Sequence, residues 1–328
     1  MQQKNDIKEY IQSLLSSKRM GNQVVYHAVL PDCPAQMSKP EKPWPQIIGR
    51  MIHSAGIRDL YRHQADAVDF IRTGRHLVVA TPTASGKTLI YNLPVVENIL
   101  NNPDSKALYI FPLKALAQDQ LRTFETLIKP NKNVKPKIAI YDGDTSAWHR
   151  KKIREAPPNI LLTNPEMIHL SMLPHHQKWA DFFCDLDMVV VDEVHTYRGI
   201  MGSHMAQVFR RLQRICSFYN ADPTFVFCSA TVSNPAQLSE QLTGLKVETI
   251  TKSGAPLGKK HVVFINPVQG PAQTAILLLK AALHRGLRTI VYAQSRKLTE
   301  LIAIWAGSQS GPYAKRISAY RAGFLAEE

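Results

Sequence analysis

Gly86, Lys87 and Thr88 close the segment VVATPTASGKT at 78–88, where an apolar run opens into a loop of small residues. A phosphate chain requires that order of parts. The backbone N–H groups of such a loop, with the N-terminus of the helix that follows, surround phosphate oxygens with partial positive charge. On this reading Thr81, Pro82, Thr83, Ala84, Ser85 and Gly86 form the cradle, Lys87 contacts the β- and γ-phosphates of ATP, and the Thr88 hydroxyl binds Mg2+. The generic GxxxxGK[ST] spacing asks for Gly at 81, where this chain has Thr81. A second element is MVVVDEVH at 188–195, an apolar run that ends in two adjacent carboxylates. Asp192 is expected to hold Mg2+ through water, and Glu193 to orient and deprotonate an attacking water. Singly, a Gly-rich turn and a helix cap account for these residues. Both arriving in order on one alternating chain point to nucleotide hydrolysis.

The elements that must position them are legible in the same way. Short runs rich in β-branched and aromatic residues, HLVVA, ALYIF, KIAIY, NILLT, DMVVVDE and TFVFCSA, are mostly separated by helix-period segments. Strands buried on both faces and divided by helices predict a parallel sheet with crossovers, hence an α/β fold. Ligands of such sheets sit at the carboxyl ends of the strands, where HLVVA runs into TPTASGKT. The segment 202–219 predicts a helix with Met205, Val208, Leu212, Ile215 and Tyr219 on one face and Arg210, Arg211 and Arg214 toward the other. Five prolines in 31–45 predict an extended N-terminal arm. Gly and Pro in TKSGAPLGKKH at 251–261 mark a linker, after which HVVFINP, TAILLLKAALHRG and RTIVYAQS read as strand, helix and strand.

Composition narrows the partners. Lys plus Arg number 40 against 26 Asp plus Glu, a net charge of +14, which suits a polyanionic partner or simply a basic surface. At 328 residues the chain exceeds the ~250 at which single cores stop growing, so two units are expected. Cys33, Cys184, Cys216 and Cys228 have no CxxC pairing, which predicts neither zinc nor a disulfide. The apolar stretch 275–283 is interrupted by Lys280 and too short to span a bilayer, so a soluble cytoplasmic protein without a membrane partner is expected. His169, His175 and His176 lack the carboxylates or cysteines of a metal cluster and read as surface residues. The basic runs 129–137 and 149–154 read as solvated loops and helix ends that could extend an electrostatic track for nucleic acid. The residues leave the oligomeric state open.

Taken in order, these strings resemble the motifs of superfamily 2 nucleic-acid helicases of the DExH type. TPTASGKT at 81–88 is similar to motif I, where Thr commonly replaces the first Gly; FPLKALAQDQ at 111–120 to motif Ia; TNPEM at 163–167 to motif Ib; DEVH at 192–195 to motif II; SAT at 229–231 to motif III; IVYAQSRK at 290–297 to motif IV. More narrowly, YRG after DEVHT, YNLPV after motif I, and ISAYRAGF near the end resemble the bacterial mitomycin repair factor helicases and their fungal Hrq relatives.

The resemblance implies a RecA-like P-loop domain over 56–255, preceded by the Pro-rich arm over 1–55 and followed by a second RecA-like domain over 256–328. It implies ATP with Mg2+ in the cleft and single-stranded or partly duplex DNA across the top, with RNA as the alternative track. Gln64 stands where an adenine-reading glutamine is found. Lys114, Thr163 and Glu166 are implied near the sugar-phosphate path, their other reading being helix capping. Ser229 and Thr231 are implied to couple nucleotide to strand through His195. Residues 256–328 supply roughly half a domain's length. The second domain is therefore expected to be incomplete, without a QxxGRxGR-like string for the arginines opposite the γ-phosphate, and the chain to hydrolyse ATP slowly. A helicase remnant that binds nucleic acid without chemistry is the other class of reading.

Overall fold

Each of the six apolar runs is short, β-branched or aromatic, and flanked by segments that must carry the chain back across the sheet before the next strand can pair in parallel. The computed structural model describes residues 7–129 and 136–320; 130–135, inside the basic run at 129–137, and 321–324, in ISAYRAGF, lie outside them. The runs become β1 (Leu77–Ala80), β2 (Lys106–Ile110), β3 (Ile138–Tyr141), β4 (Ile160–Thr163), β5 (Leu186–Val191) and β6 (Thr224–Ser229). A seventh strand, β7 (Glu248–Ile250), has too short and polar a sequence to be anticipated. The sheet order is β7-β1-β6-β5-β2-β4-β3, with every neighbouring pair parallel.

Period-2 alternation splits the strand residues between two cores. Leu77 and Val79, Ala107 and Tyr109, Met188 and Val190, and Val226 and Cys228 enter one of them. It is closed by α1 (Arg62–Arg72), α2 (Lys87–Asn101) and α3 (Lys114–Ile128), which contribute Ala67, Ile90, Tyr91 and Phe124. Val78, Leu108 and Ile110, Val189 and Val191, and Phe225 and Phe227 enter the other, which holds Trp179 and Phe183 together with Met205, Phe209 and Leu212. Those last three lie on α4 (Gly199–Phe218), whose face carries Arg210 and Arg214 in the open, as the period predicts.

The larger compact unit spans Pro34–Leu257, so it begins before the boundary expected at 55/56. The reason is packing. Ile48, Met51 and Ile52 of the helix Gln46–Ser54 are buried in the first core. Arg72, at the end of α1, pairs with Glu97 of α2 through 2.8 and 2.9 Å bonds, donates to the Lys42 carbonyl, and lies 4.1 Å over the Trp44 ring. One guanidinium thus fastens the Pro-rich segment to two helices, which a lysine could not do.

The smaller unit joins residues 1–33 to 258–328. In it the strand Val24–Leu30 pairs antiparallel with Lys260–Ile265. The helices Pro271–His284 and Arg296–Ser308 pack through Ile276, Leu279, Ile302 and Ala306. The run RTIVYAQS does not form the expected strand: Val291 and Ala293 pack against the helix pair, while Tyr292 on the other side is 91% exposed. A strand is defined by its neighbours, and among the described residues none pairs with this one. No helix among the described residues is long and apolar enough to cross a membrane.

Phe227 stacks on Phe225 and meets Phe209 edge-on beneath β6. Phe227→Ala is expected to lower unfolding free energy by about 3–5 kcal/mol in urea titrations without changing the denaturant slope; a loss below about 1 kcal/mol would show that this face of the sheet is not packed as described.

Candidate functional site

Parallel strands bring all their carboxyl ends to one edge, so sheet order decides which loops become neighbours. Ala80 at the end of β1 stands opposite Ser229 at the end of β6, and Val191 at the end of β5 stands opposite Phe227. The loops 81–88, 229–231 and 192–195 therefore emerge side by side. On the other half of the edge, Ile110 pairs with Val191 and Thr163, and Thr163 with Tyr141. This aligns the segments that follow β2, β4 and β3.

The small-residue loop is closed by its own side chains. Thr81 and Ser85, both buried, share a 2.8 Å hydroxyl hydrogen bond, which gives Thr81 a use that Gly would lack. Lys87 Nζ donates to the carbonyls of Thr81 at 2.9 Å and Pro82 at 3.1 Å, so the ammonium curls back over the loop. Ala84 and Gly86 both take left-handed backbone angles, φ 62° and 79°. Glycine suits the second because any side chain is strained at that φ, and a Cβ there would also displace Gln64 Nε2, 2.5 Å away. Thr88, half-buried at the start of α2, reaches the hydroxyl of Tyr91, which in turn donates to Gln120 of α3 at 3.2 Å.

Gln64 was expected at adenine; it is 2% exposed and uses both polar ends inside the protein. Its carbonyl accepts from the Tyr61 N–H at 2.9 Å and its amide donates to the Gly86 carbonyl at 2.8 Å. In this arrangement it holds the loop. His63 beside it was not anticipated. Its Nε2 lies 3.1 Å from the Ser85 carbonyl, and its only sequence signal was adjacency to Gln64 in YRHQ.

Asp192 and Glu193 follow β5 in a strained turn, with Glu193 at φ 52°, a conformation a residue with a side chain adopts only when its surroundings impose it. Asp192 Oδ1 accepts the Glu193 N–H at 2.8 Å. Burial pushes the Asp192 carboxyl up to about 6, the Glu193 charge adding to the rise, while the Glu193 N–H bond and the Lys87 charge oppose it. Two carboxylates and one ammonium therefore share the site. The Asp192 carboxylate, short of compensation, and the Thr88 hydroxyl are oxygen donors of the kind Mg2+ accepts, so the residue types fit that ion.

His195 faces Glu193 and motif III. Its Nδ1 lies 3.2 Å from Glu193 Oε2, 3.3 Å from Ser229 Oγ and 3.4 Å from the Ala230 backbone N. One ring nitrogen either donates or accepts, so a proton on Nδ1 selects Glu193 and its absence selects Ala230. The expected coupling residue Ser229 is brought to His195. Thr231 is exposed, and the Ala230 N–H reaches the ring in its place.

On the second half of the edge, Lys114 is exposed and bonds Asp144 at 2.7 Å; that hydrogen bond, ahead of the charges of Asp142 and Glu166, raises its pKa. Glu166 is exposed. Thr163 is corrected: it is 2% exposed and donates its hydroxyl proton to the Tyr141 carbonyl at 2.6 Å, a tie between β4 and β3 rather than a surface contact. Nor do Thr163 and Glu166 cap the short helix Pro165–Met167. Asn164 does, accepting from Met167 N–H. His169 and His175 are exposed as expected, but His176 is half-buried and bonds Tyr219. The run 149–154 lies within the helix Ala147–Glu155, which has no buried residue.

Residues 61–238 match the family model of the DEAD/DEAH box helicases. The chain is 45% identical over 302 residues to an uncharacterized ATP-dependent helicase, YprA, of Bacillus subtilis, covering 88% of this chain and 40% of the relative. It is 37% identical over 303 residues to the ATP-dependent helicase HRQ1 of Saccharomyces cerevisiae, covering 87% and 28%. Among solved structures, the DUF1998 helicase MrfA bound to DNA and AMPPNP superposes with a TM-score of 0.90 at 39% identity, over 98% of this chain and 46% of that one. The chain thus spans less than half the length of each of these relatives.

Raising a carboxyl from 3.8 to about 6 makes its charged form about 3 kcal/mol costlier in the fold than in the unfolded chain. The folded value lies above the unfolded one, so this cost is full above pH 6 and vanishes below 3.8, where both states hold the proton. Asp192→Asn is therefore expected to raise stability by about 1–3 kcal/mol at pH 8, the gain fading in denaturation curves taken toward pH 4. An equal gain at both pH values would refute the burial argument.

Proposed function

The chain belongs to the DEAD/DEAH box helicase family, and from that premise we propose that it is an ATP-dependent DNA helicase of genome repair, coupling ATP hydrolysis to movement along single-stranded DNA. The observation that carries this reading is the meeting of Lys87, after β1, with the Asp192–Glu193 pair and His195, after β5, across the end of β6 that lies between them. The preference for DNA draws on the likeness to the MrfA structure that holds DNA and AMPPNP.

The chemistry follows from the partners each group already has. Lys87 exchanges two neutral carbonyls for the charged oxygens of the β- and γ-phosphates, a stronger set of acceptors for the same ammonium. Thr88 and Asp192 would hold Mg2+, which would neutralise phosphate charge when bound. Glu193 orients the attacking water and takes its proton. His195 then senses Glu193, because its Nδ1 pairs with Oε2 in one proton arrangement and with the end of β6 in the other. Movement of β5, which borders β2, and of the loop after it carries the state of the nucleotide to the half of the edge that presents Lys114 and Glu166. Lys114 exchanges Asp144 for a backbone phosphate of the strand, a contact that grips without reading sequence.

Coupling of two ligands is reciprocal, so ATP·Mg2+ must change affinity for single-stranded DNA by the factor that DNA changes affinity for ATP. Lys87→Ala is expected to weaken ATP binding at least about tenfold and to remove the nucleotide dependence of DNA binding, read by fluorescence anisotropy of a labelled oligonucleotide. Glu193→Gln is expected to keep that dependence while lowering turnover by about 10²–10⁴-fold. DNA affinity unchanged by ATP in the parent would instead support a binding module without chemistry. Equal or better coupling with an RNA oligonucleotide would move the track to RNA.

A further inference from the structure

Two adjacent residues at the N-terminus of α1 grip two adjacent carbonyls of the phosphate loop. Gln64 donates to Gly86 and His63 faces Ser85. The two side chains differ in what their other ends do. The Gln64 carbonyl turns back on its own helix at Tyr61, whereas His63 Nδ1 lies 3.1 Å from the backbone N–H of Gly254, 191 residues away in sequence. A backbone N–H can only donate, so Nδ1 is the acceptor and carries no proton. The proton sits on Nε2 and is donated to the Ser85 carbonyl. The neutral form this requires is the one the surroundings favour. Burial lowers the His63 pKa, and the Lys87 charge adds to that against the Ser85 carbonyl and Asp66.

Gly254 is itself locked. Its carbonyl accepts from the Gln36 N–H at 2.8 Å, and the Gln36 carbonyl accepts from the Arg62 N–H at 2.8 Å, at the first residue of α1. A Cβ at 254 would come within 2.8 Å of the Gln36 carbonyl oxygen and 2.9 Å of the Arg62 nitrogen, so the close approach demands glycine. Three residues further on, at Leu257, the larger unit ends and the chain passes into the smaller one.

We infer that His63 is a positioning residue that ties the phosphate loop to the departing segment at Gly254, so that a change of the loop on binding nucleotide is transmitted to the peptide connecting the two units. This rests on the reading of 81–88 as a nucleotide site. The imidazole works because one rigid ring presents a donor and an acceptor in opposite directions, and each direction meets a backbone group that cannot reverse its own role.

Two substitutions separate the arms. His63→Asn keeps an acceptor at the Nδ1 position for Gly254 and abandons Ser85; His63→Gln keeps a donor at the Nε2 position for Ser85 and abandons Gly254. Amide hydrogen exchange is followed in peptides 78–90 and 249–258, with and without ATP·Mg2+, in the parent 328-residue chain and in both variants. In the parent, nucleotide is expected to slow exchange in both peptides. In each variant it is expected to slow exchange in 78–90 only, with ATP affinity about tenfold weaker for His63→Asn, which frees the loop carbonyl. A response at 249–258 that persists in the variants overturns the inference, as does a parent in which 78–90 responds and 249–258 does not. The parent comparison alone decides if neither variant folds. A parent in which 78–90 itself ignores ATP sinks the nucleotide-site reading instead, and the inference with it.

Discussion

A carboxylate held half-buried within the influence of a single ammonium governs this molecule. Asp192 is driven up toward neutrality by burial and pulled back by Lys87, and neither effect exists unless the ends of β1 and β5 lie one strand apart. The stable solution for an isolated domain would be to neutralise or solvate that group. The fold instead keeps it, together with left-handed Ala84 and Glu193, and the two sheet-spanning cores hold the distortion in place. Strain and unmet charge concentrated at one edge of an otherwise regular sheet are what a site prepared for a charged ligand requires.

That edge is divided by strand order. The half made by β1, β6 and β5 carries the ammonium, the acids and the imidazole; the half made by β2, β4 and β3 carries Lys114, Glu166 and the turn at Asp142–Thr145. His195 stands at the seam of the first half because β6 lies between β1 and β5, so any rearrangement of the acids meets the end of β6 first. On the outer side of the same loop, α1 supplies two parallel ties through His63 and Gln64. The phosphate loop is consequently held by its own Lys87 and by α1, and each grip acts on a backbone carbonyl rather than on a side chain.

Much of this was readable from residue order. The six strands and the face of α4 followed from period and branching, because burial on both sides of a sheet leaves no room for polar alternation. β7 escaped because three residues carry no pattern. RTIVYAQS carried the pattern without the pairing, since alternation reports which side chains prefer burial and is silent on whether a neighbouring strand exists to complete the ladder. The compact unit begins at Pro34, before the boundary expected near 55, and the contact that fastens this stretch, Arg72 with Glu97, Lys42 and Trp44, joins residues whose spacing has no period.

By itself the sequence determined the chemistry available: a glycine-rich loop ending in Lys87 and Thr88, two acids and a histidine after an apolar run, and a basic excess suited to a polyanion. Such features are local, since loop conformation and side-chain type are set within a few residues. Only the tertiary structure decided who meets whom. It withdrew Thr163 from the surface, turned Gln64 inward, replaced Thr231 by the Ala230 backbone, and gave His63 a partner in Gly254. Each of those outcomes depends on hydrogen-bond donors and acceptors brought together across tens to hundreds of residues, and a hydrogen bond has direction and reach that no linear spacing encodes.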